Sequence, residues 1–402
     1  MRLMYWLLFS IYAANYLDRQ VFSVLLEAIR KDLSLGDLEM GLLSGLTFSV
    51  AYGAASIPAA IWASAGNRRN LISVSALIWG GATVLAGFAS NFVQLFLARA
   101  VIAAAEATSI PASHSILSDG TQTGGRVKLF GQFVSGSAVG GLLAVFFGGF
   151  VGHQFGWRVA LVCAGFVGII PGILLFFLTS EPKRDYGGAH SAKAGKFAIL
   201  QTTIKAIFGN RRSRMAFTAE TINQIVLASA VSWYPTFLVR SHGFSQIEAA
   251  ATASFGGLLA IAGTIITSKV LARLSNRNRV WLTRGPAITV LVGKPFSVIF
   301  LLADQPLFAL AAFIVPAALS LSTYPPTFSL LHETVSPEER PIASAMLLSL
   351  ATVVGLGIGP TMVGLLSAGI GGPYSLTTAL LCTQAIGLTA AAIYWFAPEP
   401  RA

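Results

Sequence analysis

Twelve apolar stretches follow one another along this chain, near 4–27, 40–63, 71–89, 93–117, 128–152, 157–179, 214–239, 246–272, 281–303, 306–331, 341–368 and 374–397. Each is long enough to cross a hydrocarbon core of about 30 Å as a helix. Backbone amides find no water there, so a crossing segment is either a helix or part of a closed barrel. The runs are continuous and do not alternate at period two, which argues against a barrel. Charged residues make up only 11% of the 402 positions, against roughly 25% in a soluble domain. With a mean hydropathy of +0.71, the chain reads as an all-α polytopic membrane protein of twelve transmembrane helices.

The net charge of +11 does not signal nucleic-acid binding, because the basic residues cluster in short loops between apolar runs. Loops after the even-numbered spans hold Arg68, Arg69, Arg126, Lys183, Lys193, Arg211, Arg212, Arg277, Arg279 and Arg340; the opposite loops hold Arg30, Lys31, Arg158 and Arg240. Basic loops stay cytoplasmic, so both termini are expected inside. Cys163 and Cys382 both fall in apolar spans, so no disulfide framework is indicated. With no glycosylation sequon and compact loops, a bacterial inner-membrane protein is expected. The start at Met1-Arg2 leaves a further N-terminal segment open.

The longest connection is polar, basic and rich in Gly and Ser, and it divides the spans six and six. The expected organisation is an N-terminal six-helix bundle over 1–180, a cytoplasmic linker over 181–213 and a C-terminal six-helix bundle over 214–402, related by a pseudo-two-fold axis. A shift of 209 positions brings Glu39 onto Glu248 and Asn67-Arg68 onto Asn276-Arg277. The Gly-rich fifth span (Gly136, Gly140, Gly141, Gly148, Gly149) has a counterpart in the eleventh (Gly355, Gly357, Gly359, Gly364). A weakly duplicated six-helix unit is a transporter signature, and small residues let helices approach closely where lipid supplies no hydrophobic drive.

Ionisable groups inside a span cost at least about 2.5–3.5 kcal/mol to insert, so each is a functional candidate. The first span carries Asn15, Asp18 and Arg19; the fourth carries Arg99 and Glu106. At 1.5 Å of rise per residue, Asp18 and Arg99 (about 9 Å below the outer surface) reach similar depth, so an ion pair is geometrically plausible. Arg99 and Glu106, seven apart, lie on one stripe of the fourth helix. Asn15 and Arg19 share a face at i, i+4 spacing. Two readings stand: a static set of salt bridges locking two helices together, or a switch. Desolvation favours the neutral acid and a nearby arginine favours the carboxylate, so an acid that changes partners during a conformational cycle takes up and releases protons. Arginine stays charged, which makes Arg99 or Arg19 the natural anchor for an anion.

The second half carries less charge. Its tenth span reads SLSTYPPTF, with Tyr324 beside Pro325-Pro326, a helix break tolerated only where protein or a cavity covers it. The seventh span offers Glu220, Asn223 and Gln224, then Trp233 and Tyr234. Glu220 lies near the inner end and could reach water there; the two aromatic residues could belong to an interfacial belt or to a cavity. Lys294 in the ninth span is deep enough to be a cavity-facing cation or a structural partner. His114 is more readily a loop-side polar residue than a proton shuttle.

The twelve spans split six and six, the basic central loop and Arg68-Arg69 after the second span resemble the major facilitator superfamily. More narrowly, NYLDRQVFSVLLEAIRKDLSLGDLEMGLLSG is similar to the first helix and following loop of spinster-like transporters, through Asn15, Tyr16, Asp18, Arg19, Lys31, Asp32, Gly36, Asp37, Gly41, Leu42 and Leu43. Arg99 and Glu106 in ARAVIAAAEAT agree with that family's fourth span, and GLGIGP at 355–360 with its eleventh. One motif departs. AIWASAGNRR has Ala60, Ser64 and Ala65 where the superfamily carries Gly, Asp and Arg, so only Arg68 and Arg69 remain of the loop that latches the outward-facing state. GSAVGG in the fifth span has Ser137 where exchangers carry Pro.

The resemblance implies a secondary transporter that moves a small amphipathic or anionic molecule by alternating access, coupled to protons. A lipid-like substrate of the lysolipid or sphingoid-phosphate type is expected; an organic-anion or sugar-acid symporter and a multidrug exporter are the alternatives. Asp18, Glu106 and Arg99 are expected to couple protons. Arg19, Asn15, Arg99, Glu106, Asn223, Tyr324, Trp233 and Lys294 are expected to bind substrate, with Arg68 and Arg69 as the latch. Nothing suggests an enzyme: H-E-x-x-H is absent and the five histidines are scattered. No cofactor, metal or nucleic acid is expected, and the protein is expected to act as a monomer in the bilayer.

Overall fold

A computed structural model describes residues 2–119, 133, 135–182, 192–336 and 339–398. All regular structure among them is helical: α1 Arg2–Asp32, α2 Asp37–Ser44, α3 Leu46–Ala65, α4 Arg68–Ala86, α5 Phe92–Asp119, α6 Gly136–Ala144, α7 Gly152–Leu178, α8 Ala192–Gly209, α9 Arg211–His242, α10 Gln246–Arg277, α11 Trp281–Leu302, α12 Pro306–Leu319, α13 Tyr324–Thr334, α14 Arg340–Ile370 and α15 Ser375–Trp395. A π-helical turn, Val145–Val151, joins α6 to α7. Nine helical stretches among the described residues are long and apolar enough to cross a membrane. One of them, the 40-residue Val139–Leu178, holds the fifth and sixth spans, which part at Gly156 (φ 84°). The charged α1 and the 20-residue α3 cover the first two spans. The tenth span is broken as its prolines require: α12 stops at Leu319 and α13 restarts at Tyr324 with prolines in its first turn, where a missing N–H costs nothing. Arg126 and Lys183 lie outside the described residues, as do the side chains of Ala60, Ser64, Ala65 and Lys193.

The chain forms two compact units. One comprises 1–185 with 231–254 and 360–368; the other comprises 186–230, 255–359 and 369–402. In the first, Met4, Leu8 and Ile11 of α1 pack with Ile72 of α4, Ala112 and Ile116 of α5, Leu175 of α7, and Phe133. In the second, Ala216 and Ala219 of α9 meet Leu282 and Ala287 of α11, Leu330 of α13 and Tyr394 of α15. Large apolar side chains such as Phe88, Phe150, Phe177, Ile266 and Leu307 stand exposed. In water such surface would drive aggregation; against acyl chains it is the expected exterior.

Glycine sets the closest helix contacts. A Cβ on Gly140 of α6 would lie 2.3 Å from the Ala13 carbonyl oxygen of α1, and one on Gly359 of α14 would lie 2.5 Å from the Ile225 carbonyl oxygen of α9. The fifth and eleventh spans thus use glycine alike, each against the first helix of its half. The Glu39 and Glu248 echo is likewise structural: Gly36 N–H donates to Glu39 at 2.6 Å and Ser245 N–H to Glu248 at 2.8 Å, the same helix-start bond.

Within the first unit, Arg240 of α9 donates to Glu27 of α1 at 2.6 Å and to both oxygens of Asp37 of α2 at 2.8 and 2.9 Å. Ser367 of α14 donates to Asp37 at 2.6 Å. Partial burial alone would push the Asp37 carboxyl up, but the Arg240 guanidinium and the Ser367 hydroxyl overcome this and hold it below its ordinary range. A depressed carboxyl contributes stability above its unfolded value and loses it only as pH falls through the folded value. Arg240→Gln is therefore expected to lower stability by about 1–3 kcal/mol, since Asp37 loses its two-bond partner while Glu27 keeps Arg30 at 3.0 Å. Thermal unfolding should register the same loss at pH 6 and pH 8; an unchanged midpoint would remove this network from the stabilising contacts.

Candidate functional site

In the first unit, α1 carries Asn15 and Asp18 to buried positions and Arg19 to a partly buried one. Asp18 is 2% exposed and Glu106 is fully buried. Arg99 Nη1 lies 3.5 Å from Asp18 Oδ2, and Thr83 of α4 donates its hydroxyl to Asp18 Oδ1 at 2.6 Å. Arg19 Nε donates to Glu106 Oε2 at 2.8 Å. Two ion pairs therefore cross between α1 and α5, and each acid has its own arginine.

Aromatic rings hold both guanidinium groups. Arg99 lies over Phe22 at 4.3 Å and Phe48 at 5.0 Å, and its Nε donates to the Leu43 carbonyl at 3.4 Å. Arg19 lies over Phe48 at 5.0 Å and Tyr52 at 5.2 Å. Phe48 and Tyr52 stack at i, i+4 along α3. The planar, weakly hydrated guanidinium suits such a setting where an ammonium does not. The two arginines differ in access: the Arg19 side chain is 21% exposed, Arg99 only 5%. Beside Arg19, the Tyr12 ring meets Tyr16 at 5.2 Å and Phe133 at 4.6 Å, and His114 meets Phe133 edge-on.

Several buried polar atoms here have no hydrogen-bond partner among the described residues: both amide atoms of Asn15, Arg19 Nη2, Glu106 Oε1 and Thr47 Oγ1. Unpaired buried polar atoms are rare and call for a reason. Arg19 Nη2 and Glu106 Oε1, with the Asn15 amide one turn away along α1, offer unpaired polar atoms to a polar or anionic group.

The other expected residues are placed as follows. Trp233, in the first unit, is fully buried and donates Nε1 to the Pro360 carbonyl at 3.0 Å. Arg68, 1% exposed, binds Glu181 at 2.8 Å and Ser115 at 2.9 Å. The Arg69 backbone N–H donates to Glu181 at 2.8 Å, and its guanidinium binds the Phe176 and Thr179 carbonyls. Both are thus engaged at the end of α7. In the second unit, Asn223 donates to Thr323 at 3.4 Å, Tyr324 stacks on Phe328, and Lys294 donates to Gln384 at 3.0 Å.

Sequence reading missed Thr83, which carried no local signal, and the Phe48/Tyr52 pair, whose i, i+4 spacing could have pointed to it. It also left Glu220 within reach of water. Glu220 is fully buried and receives bonds from Tyr394 Oη and Gln224 Nε2, each at 2.8 Å.

Residues 8–347 match the Major Facilitator Superfamily. The "MFS-type efflux pump" of Mycolicibacterium smegmatis is 27% identical over 392 residues, covering 95% of this chain and 89% of its own. The "Probable galactarate/D-glucarate transporter" of Bacillus subtilis is 23% identical over 358 residues, covering 83% and 78%. A crystal structure of a bacterial homolog of the human lysosomal transporter Spinster, inward-facing and unoccupied, superposes with a TM-score of 0.88 at 26% identity, over 98% of this chain and 96% of that one.

Proposed function

Because this chain belongs to the Major Facilitator Superfamily and is a spinster-like membrane transporter, we propose that it moves a small amphipathic anion, lipid-like in character, by proton-coupled alternating access. The observation that carries this reading is the division of labour between two arginines. Arg99 is buried against Asp18 and serves as its switching partner. Among the described residues Arg19 keeps one nitrogen unpaired, is the more accessible, and stands beside the Asn15 amide and the second Glu106 carboxylate oxygen, which also lack hydrogen-bond partners there. The anionic group of the substrate binds Arg19 and Asn15. Its apolar part lies along Tyr12, Tyr16, Phe133 and Tyr52. Asp18 takes up a proton when Arg99 leaves it and releases it when Arg99 returns, and Glu106 responds in the same way to Arg19.

This reading includes two six-helix bundles (1–180 and 214–402) joined by a linker over 181–213, cytoplasmic termini and a monomer in the inner membrane. Arg68 and Arg69 latch the cycle through their hold on the end of α7. Asn223, Tyr324, Lys294 and Trp233 remain in this reading as substrate-binding residues.

A second reading, sugar-acid symport, is favoured by the similarity to a protein named for galactarate and glucarate transport. It uses the same Arg19 anchor but needs no aromatic lining. Uptake and counterflow in liposomes, under an imposed pH gradient, separate the two with lysophospholipid, sphingoid phosphate and glucarate as substrates. Arg19→Gln is expected to raise KM for the transported anion about 10-fold or more, the loss of a charge-assisted bond, with kcat less affected. Equal transport of all three substrates by wild type and variant, or of none, would overturn the proposal.

A further inference from the structure

We propose that Phe48 is a positioning residue that links the two ion pairs, by holding the Arg19 and Arg99 guanidiniums over one ring. Each guanidinium carbon stands 5.0 Å from the centroid of that ring, within the distance at which a cation is drawn to the negative face of an aromatic π-system. Phe48 is 2% exposed, and the attraction grows as the pair is desolvated. The two arginines belong to different helices, α1 and α5, and to different ion pairs, with Glu106 and with Asp18. Arg19 also lies over Tyr52, and Arg99 over Phe22. Among the described residues, Phe48 alone offers its ring to both. Like charges gathered at one ring repel in a medium of low dielectric constant, and the ring's negative face offsets part of that repulsion. Removing one cation therefore changes how the ring holds the other.

The backbone around Phe48 is built to place that ring. The second span breaks at Gly45, where α2 ends and α3 begins. Just before the break, the Leu43 carbonyl accepts from Arg99 Nε at 3.4 Å. One turn after Phe48, Tyr52 stacks on it at 17° between ring planes and lies under Arg19. The first N–H of α3, that of Leu46, donates to Thr361 Oγ1 of α14 at 3.0 Å, and the same hydroxyl donates to the Gly41 carbonyl of α2 at 3.2 Å. Gly41 brings α2 directly onto α14, since a Cβ there would lie 2.8 Å from the Pro360 carbonyl oxygen. The ring is thus held through α14 on one side and meets both arginines on the other. A shift of α14 against α1 and α5 moves the ring under both cations at once. Departure of Arg19 toward an anion leaves the ring to Arg99 alone, so occupancy of the anion anchor is felt at the Asp18–Arg99 pair. The role of this link in transport rests on the proton-coupled reading above; the sharing of the ring does not.

Thermal unfolding of the purified full-length protein tests the shared ring without any substrate. Phe48→Leu, which keeps an apolar side chain but has no π-face, is made in four backgrounds: wild type, Arg19→Gln, Arg99→Gln and the two together. The fall in unfolding midpoint caused by Phe48→Leu is expected to be largest in the wild type, smaller in each single background and smallest in the double. A ring that only fills space gives the same fall in all four, because independent effects add. Should the double variant not fold, the two single backgrounds decide. Phe48→Tyr, which keeps the face, is expected to unfold close to the wild type. In liposomes, the ratio of gradient-driven uptake to counterflow is expected to fall several-fold in Phe48→Leu and to recover in Phe48→Tyr, with lysophospholipid, sphingoid phosphate and glucarate as the substrates offered. If the wild type moves none of the three, the transport reading fails and the unfolding series still decides whether the ring is shared. Equal midpoint shifts in every background, or an unchanged uptake-to-counterflow ratio in a Phe48→Leu variant that transports, would overturn the proposal.

Discussion

Asp18→Asn is expected to abolish accumulation driven by a pH gradient, by more than 10-fold, while sparing the fold and substrate counterflow. The amide is isosteric with the acid and still accepts the Thr83 hydroxyl, which lies 2.6 Å away in the native protein. Arg99 loses its ion pair but keeps Phe22, Phe48 and the Leu43 carbonyl. The structural cost is then of the order of 1–3 kcal/mol, that of one weakened buried bond. What the variant loses outright is a group that can be neutral in one conformation and charged in another. Counterflow exchanges substrate for substrate and needs no net proton movement, so it should survive within a few-fold. Gradient-driven uptake at the wild-type rate would take Asp18 out of the coupling mechanism and leave the Asp18–Arg99 pair as a static tie between α1 and α5.

The second large effect concerns the backbone. Gly140→Ala is expected to destabilise the protein by about 1–3 kcal/mol or more, the range for overpacking, and to cut transport several-fold. The added methyl would meet the Ala13 carbonyl oxygen at 2.3 Å, the Tyr16 Cβ at 2.7 Å and the Leu17 backbone nitrogen at 3.0 Å. Two of these are backbone atoms of α1, so no rotamer change relieves the contact and α1 must move away as a body. Asp18 and Arg19 follow Leu17 directly, so that displacement carries them off Arg99 and Glu106. The neighbouring Gly141→Ala is the control: nothing lies within 4 Å of its added carbon, and it should behave as wild type. Paired thermal-stability and uptake measurements on the two variants decide the matter. Equal behaviour would mean that α6 and α1 do not rely on this approach.

These two predictions draw on different kinds of legibility. That Asp18 and Arg99 reach the same depth follows from rise per residue, and they are found 3.5 Å apart. That Gly140 is a contact residue follows from small residues recurring in an apolar run. Which acid meets which arginine is another matter. Asp18, Arg19, Arg99 and Glu106 admit more than one pairing on depth alone, and the observed one puts Arg19 on Glu106 with aromatic rings from α3 above it. Thr83 could not be anticipated, since a threonine bonding its own helix carbonyl, as Thr83 also does to Trp79, looks the same whether or not a carboxylate lies beside it.

Glu220 shows the limit most clearly. Position along the seventh span places it near one end, where a long side chain reaches water. In the fold, Thr327, Tyr394 and Gln224 close over it, and its nearest partner in sequence other than Gln224 is about a hundred residues away. Span number, helical character and the set of charges committed to the apolar interior are properties of the chain alone, because hydrocarbon leaves the backbone no alternative to internal bonding. The partners of those charges were decided only by tertiary structure, because they depend on how each helix is rotated about its axis and where it crosses its neighbours, and neither is encoded in the order of residues within one helix.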